Sequence, residues 1–327
     1  MNWYGRSLAS GFLAVLAGVG LSSSQAQAQA YPTRSITMIV PFAAGGPTDV
    51  IARIVTGHMA QTLGQTIIIE NVVGAGGTTA TTRASRAAND GYTLITGHMG
   101  THAASVPLYP NLAYHPEKSF EPVALLAGTP ILILARKDFP PKDLKEFIAY
   151  VKANESKVNA AHAGVGSVSN VSCELLNSVL GVKPIGVPFN GTGPAMNALV
   201  AGQVDYMCDQ IVNAVPQING GTIKAYAVAT PERNPSLPNV PTTTEAGLPA
   251  FQAQAWNAIF APKGTPEAVV AKLNEAVGKA LEDEGVRKRL LDLGSVIPAK
   301  ADRTPAALGT LVKSEIAKWT PVLKPVN

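Results

Sequence analysis

The chain has 327 residues, of which 46% are hydrophobic and 15% charged, and its formal net charge is +4 at pH 7. This length allows two domains, and so small a net charge gives no electrostatic basis for binding nucleic acid. No stretch after residue 30 is long and apolar enough to cross a bilayer, and the two cysteines fit no metal-binding motif.

The N-terminus has the pattern of a secretory signal peptide. Arg6 supplies the positive start, residues 11–21 are apolar, and small residues follow up to Ala30. The pattern predicts a signal peptide over residues 1–30, cleaved near Ala28 or Ala30, and an exported, periplasmic mature chain; a retained membrane anchor is the alternative. For an exported chain, Cys173 and Cys208 either form a disulfide or remain two separate core thiols.

The segment from Ile36 to Asp49 joins an apolar run, a glycine pair and a helix start. Ile36 to Val40 suit a buried strand, and Pro47 stands where the first helical turn tolerates a missing N–H. The loop of residues 42–46 is therefore expected to present unpaired backbone N–H groups beside the positive end of a helix. Such a site attracts anions without a basic side chain, although a plain strand-to-helix turn gives the same pattern.

The same unit, a strand followed by a Gly/Ser/Asn-rich loop and an amphipathic helix, recurs along the chain. The predicted strands are residues 36–40, 67–69, 92–96, 131–134, 158–162, 185–187, 204–208, 225–229 and 256–261. The predicted helices include one ending near Ala88, one around residues 144–151, and those of residues 266–281 and 305–319. This alternation predicts an α/β fold with a mostly parallel sheet, in which a second domain starts near Pro130.

Several enzymatic patterns are absent from the sequence. The glycine loops at residues 74–77 and 164–166 lack the third glycine of a dinucleotide-binding fingerprint, and Ser167 lacks the glycines of a nucleophile elbow. His98 and His102 could share a helix face as metal ligands, but no acidic or thiol residue lies nearby. We expect them to begin a helix at a cleft, where an imidazole N–H meets a polar ligand.

Motifs spread over the mature chain carry a family resemblance. In chain order they are IVPFAAGGPTDVIAR, IIIEN with GAGG, DGYTL, LYPNLAYHPEKSFEPVALLA, AGQVDYMCD, PNVPTTTEAGLP and APKGTPEAVVAKLN. Together they resemble the substrate-binding receptors of tripartite tricarboxylate transporters, also called the Bug family. The resemblance implies a type II periplasmic binding protein, a two-lobed Venus flytrap joined by two crossing strands. It predicts one discontinuous domain of residues 31–126 and 229–327, and a second of residues 127–228.

The resemblance also implies which residues hold the ligand. In the first lobe they are Phe42, Ala43, Gly45, Gly46, Thr48, Gly76, Gly77, His98, Thr101 and His102. In the facing lobe they are Gly166, Ser167, Ser169, Asn170, Phe189, Asn190, Gly191 and Asp209.

The implied function is capture of a small organic acid for a two-subunit membrane permease, by a monomer that needs no cofactor or metal and is not an enzyme. Val72 and Val73 stand where relatives often have Arg-Pro, and Phe189-Asn190 where they have Tyr followed by Lys or Arg. These changes favour a flat or partly apolar acid, such as terephthalate or adipate, over citrate. A receptor for a two-component sensor, and an exported hydrolase using Ser167 with a histidine, remain alternatives.

Overall fold

The computed structural model describes residues 31–323 and residue 325. The predicted signal peptide and its cleavage positions near Ala28 or Ala30 lie outside the described residues. Within the described part, no helix is long and apolar enough to cross a bilayer.

The first part of the chain alternates strands and helices, as predicted. In order the elements are β1 (Ile36–Val40), α1 (Pro47–Leu63), β2 (Ile67–Asn71), α2 (Thr78–Ser85), β3 (Thr93–His98) and α3 (Ser105–Leu108). Helix α1 starts at Pro47, whose missing N–H costs nothing there, and ends before Gly64, which adopts φ +68°. These two residues fix where α1 begins and ends.

The rest of the chain continues the pattern around one long strand. The elements are β4 (Phe120–Arg136), α4 (Leu144–Asn154), β5 (Asn159–His162), α5 (Val168–Leu180), β6 (Ile185–Pro188), α6 (Thr192–Val200), β7 (Tyr206–Gln210), α7 (Ile211–Asn219), β8 (Ile223–Val228), β9 (Gln254–Pro262), α8 (Glu267–Glu282), α9 (Glu284–Asp292) and α10 (Pro305–Trp319).

The strands form a continuous path in the order β2-β1-β3-β9-β4-β7-β5-β6, and β8 pairs with β4. The pairs β1–β2, β1–β3, β5–β6 and β5–β7 are parallel, whereas β4, β8 and β9 pair antiparallel with their neighbours. The sheet is therefore mixed, with the predicted parallel pairing confined to its two ends.

Strand β4 belongs to both parts of the sheet. Its residues 120–130 pair with β9, and its residues 131–136 lie between β7 and β8. We call β1, β2, β3, β9 and residues 120–130 the first sheet half, and β5 to β8 with residues 131–136 the second sheet half. Strands β8 and β9 both pair with β4, and residues 229–253 separate these two strands along the chain.

The predicted strand of residues 131–134 is only the second part of β4. Pro122 and Pro130 argue against a central strand, because proline cannot donate to a sheet ladder. Among the described residues, however, this part of β4 has a continuous partner only in β9, and its pairing shifts register near Pro122. The other side carries just the isolated bridge between Gly128 and Val296, so the prolines sit on an open edge.

The two cysteines lie in the second sheet half and its covering helix. Cys173 in α5 and Cys208 in β7 are buried free thiols, and the Cys208 N–H donates to the Cys173 Sγ at 3.0 Å. The structure therefore agrees with the alternative of two separate core thiols.

Candidate functional site

A cavity of about 280 Å³, partly open to solvent, lies where both sheet halves end in helix starts. The residues lining it are Phe42, Gly46, Pro47, Thr48, Asp49, His98, Ala163, Ser167, Val168, Ser169, Thr192 and Gln210. Most of them belong to the first turns of α1, α5 and α6 or directly precede those helices. Three helix N-termini therefore meet at one cavity, each contributing a partial positive charge.

Helix α1 reaches the cavity with its first turn. Gly46 is its N-cap in an extended conformation, and no side chain caps this end of the helix. Because the first turn lacks intrahelical acceptors, the N–H groups of Thr48 and Asp49 have no acceptor among the described residues. Both residues are buried at 3% exposure, so these donors face the cavity rather than bulk water.

The prediction of unpaired amides in the preceding loop is wrong at two positions. The Ala43 N–H donates to the Asn190 carbonyl oxygen at 3.0 Å, and the Gly45 N–H donates to the Asp49 Oδ2 at 3.0 Å. Both amides are taken because a carboxylate and a carbonyl lie within reach of the loop. The amides of Phe42, Ala44 and Gly46 have no acceptor among the described residues, so free donors lie both in the loop and in the first turn of α1.

Asp49 carries a carboxylate at the edge of a site suited to anions, and Arg53, one turn further along α1, balances its negative charge. Burial raises its pKa, but hydrogen bonds from Arg53, the Gly45 amide and Asn71 outweigh burial and leave the pKa below its ordinary value. The Arg53 Nε lies 2.9 Å from the Asp49 Oδ2. Arg53 itself is not among the residues that line the cavity.

Helix α5, which packs on the second sheet half, faces α1 and contributes two hydroxyl groups to the cavity. Ser167 is its N-cap, and the Ser167 Oγ accepts from the Asn170 N–H at 3.2 Å. The Ser169 Oγ accepts from the Ala163 N–H at 2.9 Å and lies 3.2 Å from the Ser167 Oγ. Since one hydroxyl donates to the other across this contact, one hydroxyl hydrogen is left to donate to a ligand.

Helix α6 completes the site through Thr192, behind which lies Asp209. The Asp209 side chain is fully buried and accepts from the Asn213 Nδ2 at 2.7 Å and from the Gln210 N–H at 2.8 Å. Burial raises its pKa to about 7, although hydrogen bonds from Asn213, Gln210 and Thr192 act in the opposite direction. Asp209 therefore holds Thr192 in place but does not line the cavity.

His98 contributes a neutral imidazole to the cavity. Burial lowers its pKa to about 3, and its Nδ1 accepts from the Gly100 N–H at 2.9 Å. The ring hydrogen must then be on Nε2, which makes His98 a hydrogen-bond donor at that atom. The ring stacks on Phe42 with 5.1 Å between centroids, so the two side chains form one flat wall.

His102 lies behind this wall and does not line the cavity. Its ring stacks on Phe260 at 3.9 Å between centroids, and its Nδ1 lies 3.0 Å from the Thr101 Oγ1. Burial and the neighbouring His98 hold its pKa well below the ordinary value. His102 packs in the core and supports the strand that carries His98.

A second, larger cavity of about 970 Å³ adjoins the first at Phe42 and Ala163. The two sheet halves touch directly around it: the Tyr109 Oη donates to the Val165 carbonyl oxygen at 2.7 Å. A Cβ added to Gly76 would lie 1.8 Å from that same carbonyl oxygen. Only a glycine at residue 76 permits this approach.

The predicted ligand-binding residues divide into three groups. Those lining the smaller cavity are Phe42, Gly46, Thr48, His98, Ser167 and Ser169. Those lining the larger cavity are Phe42, Gly76, Gly77, Phe189 and Asn190. Those lining neither are Ala43, Gly45, Thr101, His102, Gly166, Asn170, Gly191 and Asp209.

Sequence reasoning did not assign six of the lining residues, namely Pro47, Asp49, Ala163, Val168, Thr192 and Gln210. Thr192 has a signal similar to that of Thr48, since each lies in the first turn of a helix whose N-cap is a glycine. Gln210 ends a strand beside Asp209, where α/β sheets place ligand-binding side chains. Both signals could have been read from the sequence.

The chemistry available at the cavity is hydrogen-bond donation. Among the described residues, no lysine or arginine lines it, and no cluster of His, Cys, Asp or Glu could hold a metal ion. The Ser167 Oγ accepts from the Asn170 N–H and lies near the Ser169 Oγ, and no histidine forms a hydrogen bond with it in the described part of the chain. Fixed N–H and O–H donors suit a carboxylate and do not form a nucleophile–base pair.

Comparison with known proteins places this geometry in a family context. The sequence model of the tripartite tricarboxylate transporter family receptor matches residues 51–327. MatC (Rpa3494) from Rhodopseudomonas palustris, solved with bound malate, is 60% identical with a TM-score of 0.87, covering 89% of this chain and 99% of its own. The periplasmic binding protein BugD is 42% identical with a TM-score of 0.87, covering 90% and 100%.

A third structure, R. palustris Rpa4515 with adipate, is 31% identical with a TM-score of 0.85, covering 90% of this chain and 100% of its own. These likenesses confirm the predicted fold of a two-lobed periplasmic binding protein. They also support the prediction that the chain is a binding protein and not an enzyme, because the matched proteins are binding proteins.

Proposed function

The chain belongs to the tripartite tricarboxylate transporter receptor family, and we propose that it captures a short dicarboxylate in the periplasm and delivers it to a membrane permease. The observation that carries this proposal is the meeting of three helix N-termini at a cavity lined by no basic side chain. A carboxylate is a small-molecule group that such donors bind well.

The donors at the cavity are numerous enough for useful affinity. The amides of Thr48, Asp49, Val168, Ser169 and Thr192 belong to first turns, and the structure gives them no acceptor among the described residues. A charge-assisted hydrogen bond contributes roughly 1.5 to 3 kcal/mol, whereas micromolar binding needs about 8 kcal/mol. Four or five such bonds therefore suffice without an ion pair.

Similarity favours a four-carbon acid such as malate. MatC, the 60% identical neighbour, was solved with malate. We therefore rank malate and its four-carbon relatives first.

A longer or aromatic acid, such as adipate or terephthalate, is the second candidate. Its support is the flat wall of Phe42 and His98, together with the adipate-bound neighbour at 31% identity. Such a ligand would have to extend past Phe42 into the larger cavity.

The proposed mechanism is closure of two lobes on the acid, with domain bounds at residues 31–126 with 229–327 and at 127–228. The cavity takes residues from both of these segments, so a bound acid bridges them. A solute stabilises the closed form only if it binds that form more tightly than the open one. The protein would act as a cofactor-free monomer, exported by the signal peptide of residues 1–30.

A panel of acids tests the proposed function on the purified mature protein. Thermal shift is measured with malate, succinate, citrate, adipate, terephthalate and the neutral diamide of malate. A ligand at a hundredfold excess over its dissociation constant adds about 2.7 kcal/mol of stability, so we expect clear stabilisation by malate and none by the diamide. Stabilisation only by uncharged solutes would refute the proposal.

Deletion of the gene separates transport from sensing. Loss of growth on the bound acid supports delivery to a permease. An unchanged growth rate with a lost transcriptional response would instead assign the chain to a two-component sensor.

A further inference from the structure

Gln210 is a cavity residue outside the first turns of α1, α5 and α6. It is the last residue of β7 and the N-cap of α7, and it is 4% exposed. It lines the same cavity as the first turn of α1. Unlike the backbone amides of that turn, it can offer a side-chain amide to a ligand.

A buried network fixes the carbonyl end of this side chain. The Gln210 Oε1 accepts from the Thr129 Oγ1 at 2.7 Å and from the Asn257 Nδ2 at 2.9 Å. The Asn257 Oδ1 in turn accepts from the Thr48 Oγ1 at 3.2 Å. The four residues are at most 4% exposed and come from β7, β4, β9 and α1, so they link both sheet halves.

The network also determines which end of the amide is left for a ligand. The Asn257 Nδ2 contacts the Thr129 Oγ1 at 3.5 Å, which leaves the Thr129 hydrogen to donate to Gln210. With two donors on its Oε1, Gln210 retains its Nε2 group, for which the described residues supply no acceptor. An NH₂ group donates two hydrogen bonds and accepts none, so it matches a carboxylate and opposes another amide N–H.

We propose that Gln210 determines specificity at the second acidic group of the ligand, and that Thr129 and Asn257 are positioning residues that aim its NH₂ group. This inference rests on the proposed binding of a dicarboxylate. One carboxylate occupies the helix N-termini, and the other accepts from the Gln210 Nε2. A ligand that presents a carboxamide there offers one acceptor oxygen in place of two, and its own NH₂ group finds no acceptor on the Gln210 Nε2.

Calorimetric titration of the mature protein with malate and with each of its two monoamides tests this assignment. We expect the unaltered protein to bind malate at least about tenfold more tightly than either monoamide. Gln210→Glu replaces the donor with an acceptor and a charge, so it should reverse this preference. Gln203→Glu adds the same charge at an exposed position before β7 and should keep the preference for malate.

Thr129→Val supplies a second test that leaves every cavity-lining residue intact. It removes one of the two donors to the Gln210 Oε1, so the ratio of malate to monoamide affinity should fall about tenfold while malate still binds. The Thr129→Val variant tests the role of Gln210 even if Gln210→Glu does not fold.

The outcomes distinguish this inference from the proposed function. Failure of the unaltered protein to bind malate refutes the proposed function, and the inference with it. Malate binding with an unchanged preference in Gln210→Glu or in Thr129→Val refutes the inference alone.

Discussion

At the residue scale, Asp209 combines complete burial with hydrogen bonds from uncharged partners only. Burial raises its pKa to about 7 from an ordinary value of 3.8, because no cation compensates for lost hydration. The folded protein therefore holds this proton more tightly than the unfolded chain. Asp209 was predicted as a ligand contact, and the structure places it one layer behind, where it fixes Thr192.

The pH dependence of stability follows from this difference in pKa. As pH rises above about 4, the unfolded chain releases the Asp209 proton first, so the free energy of unfolding falls until about pH 7. The decrease amounts to as much as roughly 4 kcal/mol. Asp209→Asn resembles the protonated side chain, so we expect it to match the unaltered protein near pH 4 and to exceed its thermal stability at pH 7.5.

The control for this prediction is Asp302→Asn at an exposed position. At pH 7.5 this variant should not show the gain in thermal stability that is expected of Asp209→Asn. Parallel pH curves for Asp209→Asn and the unaltered protein would contradict the assigned shift.

At single residues, the sequence predicted those features whose causes lie within a few neighbouring residues. The start of α1 at Pro47 follows from residues 46–49 alone, and this part of the site was predicted from the sequence. The engaged amides of Ala43 and Gly45 were not predictable, because their acceptors are Asn190, distant in sequence, and an Asp49 rotamer set by Arg53 and Asn71.

At the element scale, the first residues of a helix can have two roles, which are to stabilise the helix and to bind the ligand. The Ser167 hydroxyl caps α5 and also lines the cavity. Capping concerns the stability of the helix, whereas the hydroxyl hydrogen and the helix dipole concern the ligand.

Two substitutions of Ser167 separate these roles. Ser167→Ala loses the cap and should lower the free energy of unfolding by about 1 kcal/mol. Ser167→Asp keeps a capping oxygen, so its stability should stay within about 0.5 kcal/mol of the unaltered protein, but its charge repels a carboxylate. We expect malate binding, measured by calorimetry, to be at least about tenfold weaker in the aspartate variant than in the alanine variant.

Thr304→Asp at the start of α10 is the matched control, because Thr304 also caps a helix and lies outside the cavity. Malate affinity should be unchanged in it. Equal malate affinity in Ser167→Asp and Ser167→Ala would contradict the anion site at α5.

Strand β4 shows where element prediction stopped. Its second part is an unbroken apolar run and was predicted, whereas Pro122, Gly128 and Pro130 hid its first part. A proline disrupts a sheet ladder only where its missing N–H would have donated to a neighbouring strand. Which side of β4 lacks a neighbouring strand depends on the packing of strands that are distant in sequence.

At the scale of the whole molecule, the closure that we propose depends on the direct contact of backbone across the cavities. Gly76 has φ +60° and lies against the Val165 carbonyl oxygen, where a Cβ would stand at 1.8 Å. This contact joins the two sheet halves beside the loop that carries Ser167. We assign this contact to the closed form, which a side chain at residue 76 would therefore oppose.

Gly76→Ala should fold but remain open. We expect small-angle X-ray scattering to show no compaction at saturating malate, whereas the unaltered protein compacts. Gly64→Ala is the matched control, since Gly64 has φ +68° with nothing within 4 Å of the added Cβ. It should lose about 1 to 2 kcal/mol of stability from backbone strain and compact normally. Normal compaction of Gly76→Ala would contradict the contact.

The most direct test of the proposed anion site is a crystal structure of the complex with malate. We expect carboxylate oxygens within about 3.2 Å of first-turn amides of α1, α5 and α6, and no lysine or arginine nitrogen within about 4 Å of them. A malate held by a basic side chain, or bound away from Thr48, Ser169 and Thr192, would contradict it.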